Sequence, residues 1–202
     1  RYQGACSASM GTWGAFSFYP TQNLSAIGDG GAITTNDDDV ASKARILRNY
    51  GQTVRYEHPV LGLNSRLDEI QAAILHVRLG KLEEFTRRRQ EVARAYRNGI
   101  DNRQIRMLIP PQSAESHVHH LFVICCDERK RLADHLKNRG VESLIHYPIP
   151  IHLQPPCSEI GRDPAGLGNA ERHANTCLSI PCHPFLTEVE VETIIGAVND
   201  FR

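Results

Sequence analysis

Between Gly14 and Pro20 the sequence alternates, Ala15-Phe16-Ser17-Phe18-Tyr19, and a glycine cluster, Gly28-Asp29-Gly30-Gly31, releases a second short run, Ala32-Ile33-Thr34-Thr35. Alternation bounded by turn residues specifies two short strands. A helix follows at once. Asn36 reads as its N-cap, the aspartates after it sit at the positive end of the helix dipole, and Val40, Ala44 and Leu47 form one apolar face that Gly51 ends. The same alternation of element types returns later. Val118–Cys126 is strand-like, Glu128–Arg139 is a charged helix stopped by Gly140, and Val141–Tyr147 is strand-like again. Pro148–Gly168 reads as a proline-rich loop, and Thr187-x-x-Glu190 is a capping box opening a last helix with Val191, Ile194, Ile195, Val198 and Phe201. Short strands interleaved with amphipathic helices place the chain in the α/β class.

Long helices separate the two halves. Leu67, Ile70, Ile74 and Val77 make one apolar stripe, and after Gly80 a looser one runs through Leu82, Phe85, Val92 and Tyr96. Arg87, Arg88, Arg89 and Arg94 assign much of the second helix to solvent. The expected division is 1–80 and 81–202. A formal net charge of +0 gives no support to nucleic-acid binding. No apolar run approaches the ~18 residues that a membrane-spanning helix needs. The six cysteines are irregularly spaced, with no leader-like segment before them, so reduced thiols in a cytoplasmic protein are expected. His117 and His119 share a face of a strand, but no third ligand accompanies them or His120, and no metal site is expected.

The chemistry-bearing stretch is Phe16-Ser17-Phe18-Tyr19-Pro20-Thr21-Gln22-Asn23-Leu24, followed by the glycine cluster. A strand here delivers a hydroxyl-rich turn, whose Ser17 and Thr21, with glycine amides, suit a phosphate. This run resembles the signature of the fold type I sugar aminotransferases of the DegT/StrS group, close to Ser-Phe-x-x-Thr-Lys-Asn-Leu and then Gly-x-Gly-Gly. Further blocks match that group in order: Leu47-Arg48-Asn49-Tyr50-Gly51, Gly62-Leu63-Asn64-Ser65-Arg66-Leu67-Asp68, Gln71-Ala72-Ala73-Ile74-Leu75, His146-Tyr147-Pro148 and Leu178-Ser179-Ile180-Pro181.

The resemblance implies the end of a large pyridoxal-phosphate-binding domain, interdomain helices and a small C-terminal α/β domain. It implies amino transfer to a nucleotide-linked keto sugar. Ser17 and Asn64 then stand where the family contacts the cofactor phosphate, Asn64 across a dimer interface. Arg66, His146, Tyr147 and His152 stand where it meets the nucleotide sugar. The family lysine that binds pyridoxal phosphate as an imine, and then moves protons, corresponds to Gln22. A carboxamide is neither nucleophilic nor basic, so this departure removes the normal mechanism. Residue 65, commonly aromatic in the family, is Ser65. The family aspartate that bonds the pyridine nitrogen falls upstream of Arg1, and the abrupt Arg-Tyr-Gln-Gly start reads as a chain cut from something longer. The expectation is a family member inactive by itself. The alternatives are one half of a split enzyme, or a non-catalytic sugar-nucleotide-binding or dimerisation module. The exposed stripe implies a homodimer or a complex with an N-terminal half.

Overall fold

The computed structural model describes residues 2–113, 116–161 and 163–202; Arg1, Ala114, Glu115 and Arg162 lie outside it. The chain divides into two compact units, residues 1–85 with 113–117, and residues 86–112 with 118–202.

In the first unit β1 (Trp13–Ser17) pairs antiparallel with β2 (Gly31–Thr35), Ser17 facing Gly31 and Trp13 facing Thr35. The first strand thus begins two residues before the alternation suggests. Phe18 leaves the ladder at its other end, although its amide still donates to the Gly30 carbonyl at 2.8 Å. Helix α1 (Asp38–Leu47) is capped by Asp37 rather than Asn36. The Asp37 carboxylate accepts from the amides of Asp39 and Val40 at 2.9 and 3.1 Å, while Thr35 Oγ accepts from the Asp37 amide and sets its position. No residue of α1 is fully buried. Helix α2 (Glu69–Leu79) buries only Leu75, and Ile70 and Val77 of the expected stripe are 68% and 72% exposed.

The second unit owns the hydrophobic core. Its sheet has the order β3 (Arg106–Met107), β4 (Phe122–Cys125), β5 (Cys177–Ile180), antiparallel throughout. Around it pack α3 (Leu82–Gly99), which starts in the first unit, α4 (Arg129–Asn138), α5 (Gly168–Thr176) and α6 (Glu188–Asn199). The buried cluster runs from Val92 and Tyr96 through Ile124, Leu132, Leu136 and Leu178 to Val198 and Phe201. Tyr96 is fully enclosed, its ring edge-on to Phe122 at 5.1 Å and its hydroxyl donating to the Pro181 carbonyl at 2.7 Å. The Thr187–Glu190 capping box at α6 is formed in both directions.

Three expectations change here. The strand expected from Val118 starts only at Phe122, because His119 turns through a positive φ of 47°. The Val141–Tyr147 strand reduces to a single bridge between Leu144 and Ser179. Arg89 is buried at 6% exposure rather than solvated. Arg89, Val92, Ala93 and Tyr96 are α3's buried face, spaced i, i+3, i+4 and i+7, so packing takes the arginine inward. There its guanidinium donates to the carbonyls of His119, His120 and Cys182. Burial lowers the Arg89 pKa and pushes the Cys182 thiol up to about 11. Removing that donor strands buried acceptors, each costing about 1–3 kcal/mol. Arg89→Met should therefore lower stability in urea denaturation by at least ~2 kcal/mol, whereas exposed Arg94→Met should stay within ~0.5 kcal/mol.

Candidate functional site

Two of the sequence blocks hold each other in place. The Tyr50 amide donates to the Leu63 carbonyl at 2.9 Å, Leu63 donates to Leu47 at 2.7 Å, and Ser65 donates to Arg48 at 2.9 Å. This pairing requires the glycines on both sides. Gly51 has φ +70°, and a Cβ there would overlap the Val60 carbonyl; a Cβ on Gly62 would overlap the Gly51 amide. The block's glutamine is structural too, since Gln71 Oε1 accepts from the Ile27 amide at 3.0 Å, tying α2 to the loop before the glycine cluster.

Asn64 and Arg66 are thereby set on the rim of an open cleft of about 1110 Å3 in the first unit. Its lining includes the apolar Phe16, Phe18, Ile33 and Leu67 and the run 29–35. The same lining carries three guanidinium groups, Arg45, Arg48 and Arg66, and one carboxylate, Asp29. Arg66 Nε donates to Asn64 Oδ1 at 3.2 Å, and its Cζ lies 5.5 Å from the centre of the Tyr50 ring. A cleft with this excess of positive charge suits a phosphate or diphosphate. Sequence reasoning quoted Arg48 only within a motif and missed Arg45. The signal was available in its position on α1, three residues before Arg48, which places both on one side of the helix.

Ser17 and Gln22 take other positions. Ser17 ends β1 exposed, its Oγ accepting from the Tyr19 amide at 3.2 Å, and does not line the cleft. Gln22 is half-buried in the turn after it, its amide donating to the Tyr19 carbonyl at 2.9 Å. His146 and Tyr147 belong to the second unit. His146 Nδ1 lies 2.9 Å from Ser179 Oγ, and the exposed Tyr147 ring stands at 85° to the imidazole. His152 Nε2 meets Glu171 at 3.1 Å near a smaller cavity of about 300 Å3 lined by Ile151, Cys157 and Leu167. Among the described residues no three His, Cys, Asp or Glu side chains gather as a metal site, and no helix is long and apolar enough to cross a membrane.

The donor set tests the cofactor directly. Asn64 and the glycine amides line the cleft and offer donors to a phosphate, Ser17 lies outside it, and Gln22, where the resemblance leads one to expect the attachment lysine, is a carboxamide. The chain's lysines are Lys43, Lys81, Lys130 and Lys137, and none lines the cleft. The residues present therefore do not fit pyridoxal phosphate as a covalently held group.

Comparison with known proteins gives a consistent picture. The model of the DegT/DnrJ/EryC1/StrS aminotransferase family matches residues 1–199. A pleiotropic regulatory protein of Geobacillus stearothermophilus is 38% identical over 203 residues, covering 100% of this chain and 55% of that protein. The dTDP-3-amino-3,4,6-trideoxy-alpha-D-glucose transaminase of Streptomyces venezuelae is 38% identical, covering 100% and 53%. The crystal structure of a DegT DnrJ EryC1 StrS aminotransferase from Brucella abortus superposes with a TM-score of 0.89 at 33% identity, over 98% of this chain and 53% of that one. The chain thus spans about half the length of the curated relatives it matches.

If the glycine contact positions the cleft rim, Gly51→Ala should cost more than ~1 kcal/mol, since the left-handed conformation and the overlap with Val60 add. Limited proteolysis should then cut between Arg48 and Arg66 faster than in the parent, with α6 still protected. Unchanged cleavage would show that the rim does not depend on this contact.

Proposed function

The chain belongs to the DegT/DnrJ/EryC1/StrS aminotransferase family, and from that premise we propose that it keeps the framework of a nucleotide-sugar aminotransferase without the amine such a reaction requires. The observation that carries the reading is Gln22 at the attachment position. Its carboxamide nitrogen is delocalised into the carbonyl, so Gln22 can hold or orient a ligand by hydrogen bonds and cannot form an imine or accept a proton. Residues 1–80 correspond to the end of the large cofactor-binding domain, and 81–202 to the interdomain helix and small domain.

What the chain retains is a means of binding. Arg45, Arg48 and Arg66 around the cleft suit the diphosphate of a nucleotide sugar, and Asn64 shares that rim. Ser17, at the end of β1 and outside that cleft, offers a separate hydroxyl to a phosphate; within the second unit, His146 and Tyr147 offer a sugar an imidazole and an aromatic ring. Free thiols at all six cysteines fit a reducing, cytoplasmic setting.

A split enzyme is a second reading, and the first unit favours it. Trp13, Ile33, Leu61, Leu63, Ile70 and Val77 are all exposed there, and no member of the main buried cluster comes from that unit. Apolar surface left open on this scale finds a cover. The cover proposed is the half of the relatives' length that this chain does not span, in preference to a second copy.

Incubation with pyridoxal phosphate, borohydride reduction and peptide mapping should leave no pyridoxyl label on residues 15–35. Gln22→Lys should gain that label, yet turn over a keto sugar only when the complementing half is supplied. Sugar amination by the parent chain would overturn the reading. Sedimentation at micromolar concentration tests the cover: self-association or aggregation of the chain should give way to a defined 1:1 complex with that half. A monodisperse monomer indifferent to it would remove the split-enzyme reading while leaving the Gln22 argument intact.

A further inference from the structure

The sheet of the second unit carries a second constellation that amino transfer does not use. Phe122, Ile124, Leu178 and Ile180 belong to the core, so the alternate residues Cys125 and Cys177 lie on the opposite face. The strand register sets Cys125 directly against Cys177, and Arg106 of β3 against Cys125 on its other side. The Cys126 amide donates to the Thr176 carbonyl at 3.0 Å, which makes that pair hydrogen-bonded and the next, Cys125 with Cys177, non-hydrogen-bonded. Side chains approach most closely in such pairs, with Cα atoms ~4.5 Å apart, inside the ~4.4–6.8 Å that a disulfide spans. Both sulfurs are free thiols.

The surroundings differentiate the two sulfurs. His173 Nδ1 lies 3.8 Å from Cys125 Sγ, and Arg106, across the ladder from Cys125, is held by its fork onto Asp127 at 2.8 and 3.0 Å. Cys125 keeps 8% of its surface exposed, whereas Cys177 is fully buried. Burial raises the Cys177 thiol, although Arg129, which also donates to the Ala174 carbonyl, opposes that effect.

We propose that Cys125 and Cys177 form an oxidisable dithiol, closed to a cross-strand disulfide by a hydroperoxide. His173, in the tautomer protonated on Nε2, takes the Cys125 proton on Nδ1. The Cys125 sulfur attacks the terminal peroxide oxygen and the O–O bond breaks. The departing oxygen leaves as water or alcohol with the proton from His173, and Cys125 holds a sulfenic acid. The Cys177 sulfur then displaces that hydroxyl: the S–S bond forms, the S–O bond breaks, and hydroxide departs with the Cys177 proton as water. Two thiols lose two electrons and one peroxide gains them. The product ties β4 to β5.

The test treats the reduced, natively folded chain with hydrogen peroxide and maps non-reduced tryptic peptides by fragmentation mass spectrometry. Two of the six thiols should disappear together, linking the peptide of Cys125 to that of Cys177. Cys126→Ser and Cys182→Ser, which change neighbouring thiols on those same peptides, should keep the link; Cys125→Ser and Cys177→Ser should each abolish it. Phenylarsine oxide, which bridges two adjacent thiols, should bind the parent one to one and neither of those two variants. His173→Gln should slow the linkage while leaving arsenical binding intact. A link through Cys126 or Cys182, a link that survives Cys125→Ser, or peroxide consumed at exposed Cys6 alone would overturn the proposal.

Discussion

A two-stranded sheet with helices beside it has too few layers to enclose its own apolar side chains, and that constraint governs the first unit. Three strands or a covering helix layer are normally needed before a sheet is stable by itself. Here β1 and β2 are held by their own ladder and the Phe18–Gly30 bond, and the loop between them by the side chain of Gln71 reaching from α2 to the Ile27 amide, all polar contacts. The apolar residues of the same unit stay largely exposed. The local geometry is therefore fixed by turns and glycines while the burial that would stabilise it is incomplete.

The second unit solves the same problem internally. One face of a three-stranded sheet is covered by apolar faces that include Val92 and Tyr96 of α3, Leu132 and Leu136 of α4, and Val198 of α6. Arg89 is the polar element of that solution. The turn at His119 leaves carbonyls inside the protein, and a single guanidinium nitrogen, Arg89 Nη1, reaches those of His119, His120 and Cys182 together. Its burial is thus a response to backbone polarity.

The parts of this fold legible in the sequence were those written in short-range physics. The capping box at Thr187, the helix of residues 129–138 and the strand–glycine–strand block follow from local spacing. What was not legible depended on distant partners. Arg89 looked solvated among Arg87, Arg88 and Arg94, because only the carbonyls of residues 119, 120 and 182 give it a reason to be inside. Strand β5 and the preceding helix α5 escaped notice because a four-residue run, Cys177–Ile180, has no visible alternation when both faces are buried. The Val141–Tyr147 run has strand-like composition, but only Leu144 finds an edge to pair with, so most of it stays irregular. In the candidate site, Asn64 and Arg66 could be read from their block. Arg45 could be paired with Arg48 by its spacing on α1, but only the fold shows that this side of the helix lines the cleft.

The same distinction separates framework from chemistry. The blocks around Gly51, Gly62 and Gln71 match the family pattern at positions where the structure shows a backbone reason: a left-handed turn, a close approach, an amide that needs an acceptor. Any chain folding this way has those needs, whether or not it performs a reaction. Residue 22 is different in kind. It sits in a turn that its own backbone amide closes onto Tyr19, and that bond forms with any side chain except that of proline. The fold places no demand for lysine there, so only chemistry could require one. Likeness across the whole chain therefore speaks for the framework, and the backbone bond at residue 22 forms with glutamine as it would with lysine.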